Sequence, residues 1–214
     1  SLQNGFSVRD VVMIQCVGSR NKDRDYCSRV CCGAAIKNAL IIKEKSPETR
    51  VTILYRDIRT YEFKELYYRQ AREKGVMFIR FPDEDYPKVS KNGASLEVEV
   101  QDETIARKIR LHPDFLVLSA ATVPPRLANE KLGAMLKVPL DKDGFFMEAH
   151  VKLRPVDFAN AGVFVCGLAH SPKYTTENVS QALAAAGRAA CVLSNDSLEV
   201  GGVVASVNAD KCAS

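Results

Sequence analysis

The sequence predicts an α/β fold in which a Rossmann-like parallel sheet is followed by an antiparallel β-meander. Two observations indicate the parallel sheet, and a third indicates the meander. Three short apolar runs have the length and the β-branched content of buried strands, at positions 11–14, 51–55 and 76–79. Helical spacing of apolar residues separates these runs, so strands and helices alternate through short links. From Pro82 the pattern changes to alternating apolar and polar residues, clearest at 96–101, which is typical of a half-exposed antiparallel hairpin.

The helices of the first half are predicted from periodicity and from helix-breaking residues. A polar stretch at 18–25 forms a loop, and the first helix is expected to begin at about Ser28 and to end at Pro47. The second helix is expected over 63–74, where Gly75 closes the apolar pattern. Together with the three strands, these helices form a βαβαβ unit.

Turn signals organise the remainder of the chain. Asn92 and Gly93 are expected at the tip of a hairpin, and the alternation at 105–110 predicts a further strand. The later elements are a buried strand, a short helix, a turn flanked by two short strands, a last strand and a long alanine-rich helix, at 115–121, 131–136, 140–147, 162–167 and 177–193 respectively.

Composition limits the classes of function. The chain has 214 residues, 46% of them hydrophobic, which is enough for one large or two small globular domains. A net charge of +4, with lysine and arginine spread along the chain, argues against nucleic-acid binding. No apolar run is long enough for a membrane span and no secretory signal is recognised, so a cytoplasmic location is expected. Seven cysteines in such a chain favour a reducing compartment and metal chemistry over disulfides.

Four of the cysteines lie close together with the spacing C-x10-C-x3-C-C, at Cys16, Cys27, Cys31 and Cys32. Cys16 is expected just past the carboxyl end of the first strand, where open α/β sheets bind ligands. If the chain is helical from about Ser28, Cys27 and Cys31 share one face, while Cys32 is turned by about 100° around the axis. The four sulfurs are therefore expected to converge on one object.

Three interpretations of that object are open. Four thiolates suit a [4Fe-4S] cluster or a tetrahedral zinc ion, and buried cysteines can also be plain core residues. Zinc is less favoured, because the adjacent pair Cys31 and Cys32 is hard to wrap around so small an ion. A cluster is favoured because nearby arginines offset the negative charge of its thiolates, and we expect the thiols to be partly ionised at neutral pH. These arginines are Arg20, Arg24 and Arg29.

Several sequence words resemble one known family. The words QCVGSR, YCSRVCC, DGFFMEAHVKLRPVD and GVFVCGLAHSPKYTTENVSQALAAAGRAA are similar to the flavin-binding, iron–sulfur A subunit of heterodisulfide reductase of anaerobes. The resemblance covers nearly the whole chain and is least distinctive at 82–114. It implies a thioredoxin-reductase-like core of the FAD/NAD(P)-binding, pyridine nucleotide-disulfide oxidoreductase type. The four cysteines match the family's cluster ligands one by one, so the resemblance implies a [4Fe-4S] cluster.

The same resemblance implies a flavin site that is incomplete in this chain. The glycine-rich half that holds the ADP end of FAD is expected upstream of Ser1, so we expect the chain to be a fragment. Leu168 departs from the family pattern, because many such reductases have aspartate there, and Lys173 is expected to tune the flavin potential. The family's flavin-contacting stretch is matched by Gly167, Lys173, Glu177, Asn178, Val179 and Gln181.

The resemblance also implies three parts of the chain. Residues 8–122 correspond to a nicotinamide-type domain with the inserted four-cysteine site. Residues 123–195 correspond to the carboxyl-terminal part of a flavin domain. Residues 196–214, which include Lys211 and Cys212, correspond to a linker toward a truncated ferredoxin module.

Two missing motifs bear on the predicted cofactors. The first strand–helix turn lacks G-x-G-x-x-G, since only Gly18 lies there, so we expect the cluster to replace the nicotinamide site. The alternative is a divergent loop that still binds NAD(P)H, with Arg56 or Arg59 facing a ribose phosphate. No C-x-x-C pair is present, which argues against dithiol–disulfide exchange.

The remaining cysteines and the histidines are interpreted as structural. Cys166, in the predicted last strand, and Cys191, in the last helix, are expected in the core. His112, His150 and His170 are isolated from one another in the sequence.

The sequence and the resemblance together predict part of an electron-transfer oxidoreductase subunit that relays electrons between FAD and [4Fe-4S] clusters. The implied partners are other subunits of heterodisulfide-reductase type and a ferredoxin, hydrogenase or dehydrogenase electron donor, and a homodimer is also considered. The chain alone is expected to be inactive. Two alternatives stay open: the NAD(P)H-binding domain of a flavin disulfide reductase, and a non-enzymatic docking scaffold stabilised by zinc or by a cluster.

Overall fold

The computed structural model describes residues 8–93, 95–197, 205–208 and 211. Cys212, with which a ferredoxin module was expected to begin, lies outside the described residues. The first βαβαβ unit consists of β1 (Asp10–Val17), α1 (Cys31–Lys45), β2 (Arg50–Tyr55), α2 (Lys64–Glu73) and β3 (Met77–Arg80). The later elements are β4 (Lys88–Asn92), β5 (Ser95–Asp102), β6 (Arg107–Leu111), β7 (Phe115–Ala120), α3 (Arg126–Leu136), a 3₁₀ turn (Gly167–Ala169) and α4 (Thr175–Leu193).

The strands between Asp10 and Ala120 form two sheets. The four strands of the larger sheet have the order β3-β2-β1-β7, and all their pairings are parallel. The smaller sheet is the antiparallel meander β4-β5-β6. The predicted α/β fold class is confirmed. Gly93, with a φ of +61°, follows β4 directly, so the predicted hairpin tip is confirmed as well.

The side chains of β1 alternate between two cores. Val11 and Met13 face α1 and α2, in a core that includes Ala35, Ile36 and Ala39 of α1. Val12 and Ile14 point to the opposite face, where they pack with residues of β3, of the chain just after it and of the meander: Ile79, Phe81, Val98 and Val100. The sheet is thus covered on one face by helices and on the other by the meander, which explains why β1 is apolar on both faces.

A third core lies in the carboxyl-terminal part of the chain. It contains Val138, Phe146, Phe158 and Val165, and none of these residues belongs to a named strand. The predicted strand over 162–167 was wrong, because this segment forms only an isolated bridge between Asp157 and Phe164. The flanking strands predicted at 140–147 are likewise reduced to a single bridge.

Four further expectations about local structure need correction. The helix predicted from Ser28 begins at Cys31, because Arg29 takes a left-handed conformation with a φ of 62°. β7 was predicted to be buried, yet it is an edge strand with Phe115, Val117 and Leu118 between 39% and 53% exposed. Cys166 and Cys191 were expected in the core, and both are exposed. Helix α3 begins at Arg126 instead of position 131, so the predicted short helix is longer than expected.

Within the described residues, none of the helices combines the length and the hydrophobicity that a membrane-spanning segment requires.

Two isoleucines allow the importance of the helix-covered core to be measured. We expect Ile53→Ala to lower the free energy of unfolding by about 2–5 kcal/mol, because Ile53 in β2 is 0% exposed and its loss leaves a cavity. Ile41→Ala is the matched control, because Ile41 of α1 is 40% exposed. Urea denaturation measures both, and a change in Ile53→Ala as small as that of the control would contradict the assigned core.

Candidate metal and flavin site

The loop between β1 and α1 folds back over the carboxyl edge of the parallel sheet. Inside the loop, the backbone N–H of Arg20 donates to the carbonyl of Tyr26 at 3.2 Å. The Tyr26 hydroxyl donates to the carbonyl of Thr122 at 2.8 Å, and the N–H of Thr122 donates to Ser28 Oγ at 2.9 Å. The loop is therefore fastened to the segment that follows β7, and this attachment fixes where Cys27 lies.

Cys16 reaches this loop from an irregular position in β1. It lies within the strand and not just past its end, which corrects the prediction. The pairing register between β1 and β7 shifts between Ile14 and Val17, and Cys16 takes a left-handed φ of 60°. Such bulges redirect side chains out of the regular alternation, often beside functional sites. Cys16 is 5% exposed, so its thiol is enclosed by the protein.

Of the other three cysteines, Cys27 lies in the loop, and Cys31 and Cys32 lie at the start of α1. Cys31 and Cys32 are its first two helical residues, where the positive end of the helix dipole favours thiolates. The backbone N–H of Arg29 donates to Cys27 Sγ at 3.2 Å, and Cys32 Sγ donates to the carbonyl of Asp57 at 3.8 Å. Sulfur atoms from one strand, one loop and one helix end thus lie in a single region. We call Cys16, Cys27, Cys31 and Cys32 the four-cysteine site.

Burial controls the ionisation of three of these thiols. Burial raises the pKa of Cys16 and Cys31, and it raises the pKa of Cys32 from 9.0 to about 11. Arg20 acts in the opposite direction on the pKa of Cys16 but does not cancel the effect of burial. The expectation that these thiols are partly ionised at neutral pH was therefore wrong for all three. Desolvation raises these pKa values more than the arginines lower them, because protein atoms separate the thiols from water.

The four thiols lie close enough to influence one another. Cys27 contributes to the raised pKa of Cys16, Cys31 and Cys32, and Cys16 contributes to that of Cys31 and Cys32. Among the described residues, no three histidine, cysteine, aspartate or glutamate side chains lie close enough to hold a single metal ion.

Arginines surround the four-cysteine site, and the structure gives each of them a partner. Arg20 pairs with Asp57, which also accepts from Arg59 Nε at 3.1 Å. Arg24 donates to the carbonyl of Gly18 at 3.3 Å. Arg56 has a side chain only 5% exposed, donates to the carbonyl of Arg20 and stacks on Tyr86 at 4.4 Å. The two arginines considered for a ribose phosphate, Arg56 and Arg59, are therefore both engaged within the protein.

The start of α4 is joined to the four-cysteine site. Arg29 Nη2 lies 2.6 Å from Glu177 Oε1, and the Tyr174 hydroxyl donates to the carbonyl of Arg59 at 3.3 Å. Glu177 also caps α4 by accepting from the Tyr174 N–H at 2.8 Å. Burial raises the pKa of Tyr174, and Cys32 adds to this effect. Two regions far apart in sequence therefore meet at one place.

Lys173 is the centre of a buried hydrogen-bond network that the sequence did not reveal. Its Nζ contacts His170 Nδ1 at 3.0 Å, Ser171 Oγ at 2.7 Å and the Ser171 carbonyl at 3.2 Å. His170 Nε2 lies 2.6 Å from Glu148 Oε2, and its Nδ1 lies 3.1 Å from Gln181 Nε2. The two neighbours of Nδ1 carry N–H groups, so Nδ1 is the acceptor and Nε2 holds the proton facing Glu148. His170 is thus not isolated.

The network defines what Lys173 can do chemically. Three acceptors match its three N–H groups, so its charge can act on a neighbouring group while its donors stay occupied. Burial lowers the pKa of Lys173, and Arg29 lowers it further. Of the histidines, His150 accepts from two backbone N–H groups of its own turn and His112 lies 4.0 Å from Glu97 on the surface. Neither lies in this network.

The remaining residues predicted to contact a flavin fall into two groups. Gly167, Asn178 and Gln181 lie close together, whereas Val179 is exposed and Glu177 contacts Arg29. The N–H of Gly167, a residue with a φ of 70°, donates to Gln181 Oε1 at 2.9 Å. Asn178 Oδ1 is buried without a hydrogen-bond partner among the described residues, and a Cβ at Gly167 would lie 4.0 Å from it. Val179 is 54% exposed on α4 and contributes no polar contact. The structure thus gathers Gly167, Lys173, Asn178 and Gln181, with Glu177 turned toward Arg29.

A groove of about 710 Å³ runs beside both regions, between α1, α2 and the start of α4. Its apolar lining includes Val30 and Tyr174, and lysines stand around it, at Lys37, Lys64, Lys74 and Lys173. The groove has the volume of a typical small-molecule pocket.

Comparison with known proteins gives relatives that match almost the whole chain. The A subunit of a ferredoxin:CoB-CoM heterodisulfide reductase from Methanosarcina acetivorans is 43% identical over 206 residues, which cover 94% of this chain and 25% of the relative. The A subunit of an H(2):CoB-CoM heterodisulfide,ferredoxin reductase from Methanothermobacter thermautotrophicus is 38% identical over 213 residues, which cover 98% of this chain and 32% of the relative. The iron–sulfur A subunit of a CoB–CoM heterodisulfide reductase from Methanocaldococcus jannaschii is 40% identical over 212 residues, covering 94% and 31%.

Along nearly its whole length, the chain is similar to one segment of these A subunits of heterodisulfide reductase. The resemblance to this subunit that the sequence motifs indicated is confirmed. The chain spans about a quarter to a third of the length of the curated relatives it matches. No family model matches the chain.

Solved structures of thioredoxin reductases have the same fold. Thioredoxin reductase of T. acidophilum superposes with a TM-score of 0.50 at 17% identity, covering 86% of this chain and 51% of that one. Thioredoxin reductase of Lactococcus lactis superposes with a TM-score of 0.53 at 14% identity, covering 87% of this chain and 52% of that one. At these identities the likeness concerns the fold.

The raised pKa of Cys32 predicts how the metal-free protein responds to alkali. Because the folded pKa exceeds the unfolded value, the stability linked to this proton is fully present below pH 9.0 and is lost as the pH rises through about 11. We expect Cys32→Ser to reduce the loss of unfolding free energy between neutral pH and about pH 10 by about 1.4 kcal/mol.

Urea denaturation at both pH values checks this expectation, and Cys191→Ser, at an exposed position of α4, is the matched control. An alkaline loss of stability in Cys32→Ser as large as that of the wild type would show that Cys32 is not the titrating group.

Proposed function

We propose that this chain is the part of a heterodisulfide-reductase-type A subunit in which an iron–sulfur cluster receives electrons from a flavin or passes electrons to it. The observation that carries the proposal is the meeting of the four-cysteine site with the start of α4, through Arg29 and Tyr174. Oxidoreductase names of the relatives and the reductase fold agree with this proposal. The alternatives are weaker, because no observation specifically favours a nucleotide or a zinc ion.

The donor set fits an iron–sulfur cluster. Four cysteine sulfurs are the usual ligands of [4Fe-4S] clusters, and they come here from two separate stretches of chain, Cys16 alone and the group from Cys27 to Cys32. The Arg29 N–H on Cys27 Sγ and the helix start at Cys31 supply positive polarity that a cluster's negative charge requires. When bound, such a cluster supplies one-electron transfer.

Buried thiols are compatible with this role because metal binding displaces their protons. The raised pKa values keep Cys16, Cys31 and Cys32 neutral in the metal-free protein, so that burying them does not leave charges unpaired. Loading iron then releases protons and proceeds more readily as the pH rises.

For FAD, the proposed contacts are those of the network at the start of α4. Gly167, Asn178 and Gln181 offer a backbone approach and side-chain amides, while the Lys173 charge acts on the flavin potential from a fixed position. Glu177 orients the helix start, and Val179 offers an apolar contact. The rest of the flavin site is proposed to lie in the longer relatives' additional sequence.

The NAD(P)H alternative would require Arg56 or Arg59 to face a phosphate. Both are held by internal partners, and the turn after β1 carries the cysteine loop in place of a glycine-rich fingerprint. The docking-scaffold alternative shares the four-cysteine site and differs only in the absence of electron transfer. A colourless zinc-loaded protein supports the scaffold, whereas a cluster whose visible absorbance and EPR signal change reversibly on reduction supports the proposed function.

Partners are proposed by analogy with the relatives. Their names include a ferredoxin and an H2 donor together with the CoB-CoM heterodisulfide. We propose that the whole protein acts in the cytoplasm with other subunits of this type and with a ferredoxin, hydrogenase or dehydrogenase, and that it forms a homodimer. The present chain is proposed to be inactive on its own.

The ligand role of Cys31 has a direct test. After anaerobic reconstitution with iron and sulfide, we expect the wild type to hold about four iron atoms per chain and Cys31→Ser to hold fewer than about half of that. The reason is that a serine oxygen is a poor ligand for a soft iron–sulfur core. Cys191→Ser is the matched control and should load as the wild type does. If Cys31→Ser loads iron fully, the cluster assignment fails.

Flavin affinity of the chain alone is a second test. We expect FAD to bind with a Kd above about 1 µM, because the proposed site is completed by sequence outside this chain. Flavin fluorescence titration measures this affinity, and the same titration with NADPH should give no saturable signal. Sub-micromolar FAD binding would show that these residues form a complete site.

A further inference from the structure

Gln15 is an anomaly in the most buried strand of the protein. It lies in β1 with 0% exposure, between Ile14 and Cys16. Within the part of the chain that the structure describes, neither Nε2 nor Oε1 of this amide has a hydrogen-bond partner. A buried amide without partners keeps the full desolvation penalty of its polar atoms, whereas an apolar side chain of the same size would have none.

The alternation of β1 places Gln15 on the helix-covered face of the sheet. Val11 and Met13 lie on that face and pack with Ala35, Ile36 and Ala39 of α1. Pairing of β1 is regular through Ile14, and Ile14 and Val17 pack in the same core, so the irregularity falls at Cys16. Gln15 therefore follows Met13 on the same face, one step closer to the carboxyl edge.

The direction of α1 sets what lies above Gln15. In a right-handed crossover the helix runs antiparallel to the strands, so its first turn lies over their carboxyl ends. Cys31 and Cys32 occupy that first turn, one turn before Ala35. Gln15 therefore lies at the level of the four-cysteine site, and the residue next to it is Cys16.

We propose that the Gln15 side chain is a positioning group of the four-cysteine site, whose Nε2 donates a hydrogen bond to the sulfur-rich group held there. This inference rests on the proposed function. Thiolate and sulfide sulfur atoms accept hydrogen bonds and do not donate them, so the group would give the unpartnered Nε2 an acceptor. Hydrogen bonds to sulfur stabilise the more negative, reduced form and thereby raise the reduction potential.

The test uses this chain, reconstituted anaerobically with iron and sulfide, and the variant Gln15→Met. Methionine keeps the unbranched shape and the approximate volume of glutamine but has no N–H group. Met13→Leu is the matched control, because Met13 lies on the same face of the same strand and is 1% exposed. Iron content, the reduction potential followed by EPR, and the urea midpoint of the metal-free protein are measured for all three proteins.

Two results together support the proposal. The metal-free Gln15→Met protein should have a higher urea midpoint than the wild type, because the unpartnered amide is gone. In the loaded protein, the balance should shift about three- to tenfold toward the oxidised form, which at 59 mV per tenfold is a potential lower by about 30–60 mV. Met13→Leu should leave the potential unchanged.

The other outcomes overturn the proposal in distinguishable ways. If the wild type loads iron and Gln15→Met has the same potential, Gln15 has no role at the cluster, while the proposed function stands. If Gln15→Met lowers the urea midpoint of the metal-free protein, the amide already has a partner in the fold and the premise is wrong. If the wild type itself takes up no iron, the proposed function fails and this inference fails with it.

Discussion

The packing of α1 on β1 is the constraint on which the rest of the structure depends. Val11 and Met13 fix the helix over the sheet through Ala35, Ile36 and Ala39. This packing brings the first turn of α1, with Cys31 and Cys32, over the carboxyl edge where β1 delivers Cys16. The same hydrophobic contact that holds the domain together therefore sets the distances within the four-cysteine site, and the long loop only has to supply Cys27.

At this edge of the sheet, burial and positive polarity have opposite effects on the thiol pKa values. Burial raises the pKa values of three of the thiols, while the start of α1 and Arg20 favour the ionised form. In the metal-free protein the effect of burial prevails, so the thiols of Cys16, Cys31 and Cys32 are neutral. A bound cation reverses that balance, because it replaces the protons and uses the surrounding positive polarity. The positive polarity around the site thus favours a negatively charged cluster, and the neutral thiols avoid an unpaired buried charge when no cluster is bound.

The fold was predictable from the sequence where periodicity and chain order decide the structure. The runs at 11–14, 51–55 and 76–79 correspond to β1, β2 and β3, because burial of apolar side chains determines these strands. The start of α1 was not predictable, because a left-handed Arg29 leaves no mark in the pattern of apolar residues. The apolar run at 115–121 was misread because composition does not reveal whether a neighbour covers a strand. The Lys173 network was missed because its members, from Glu148 to Gln181, are brought together only by the fold.

Arg29 contacts both ends of the proposed electron path. Its backbone N–H meets Cys27 Sγ, and its guanidinium meets Glu177 and the carbonyl of Pro172 at the entry to α4. A charge that appears at one end acts on this single residue, whose backbone lies at one end and whose side chain lies at the other. One residue links the two regions, so the potentials of the two proposed cofactors are expected to shift together, and a substitution of Arg29 is expected to affect both regions.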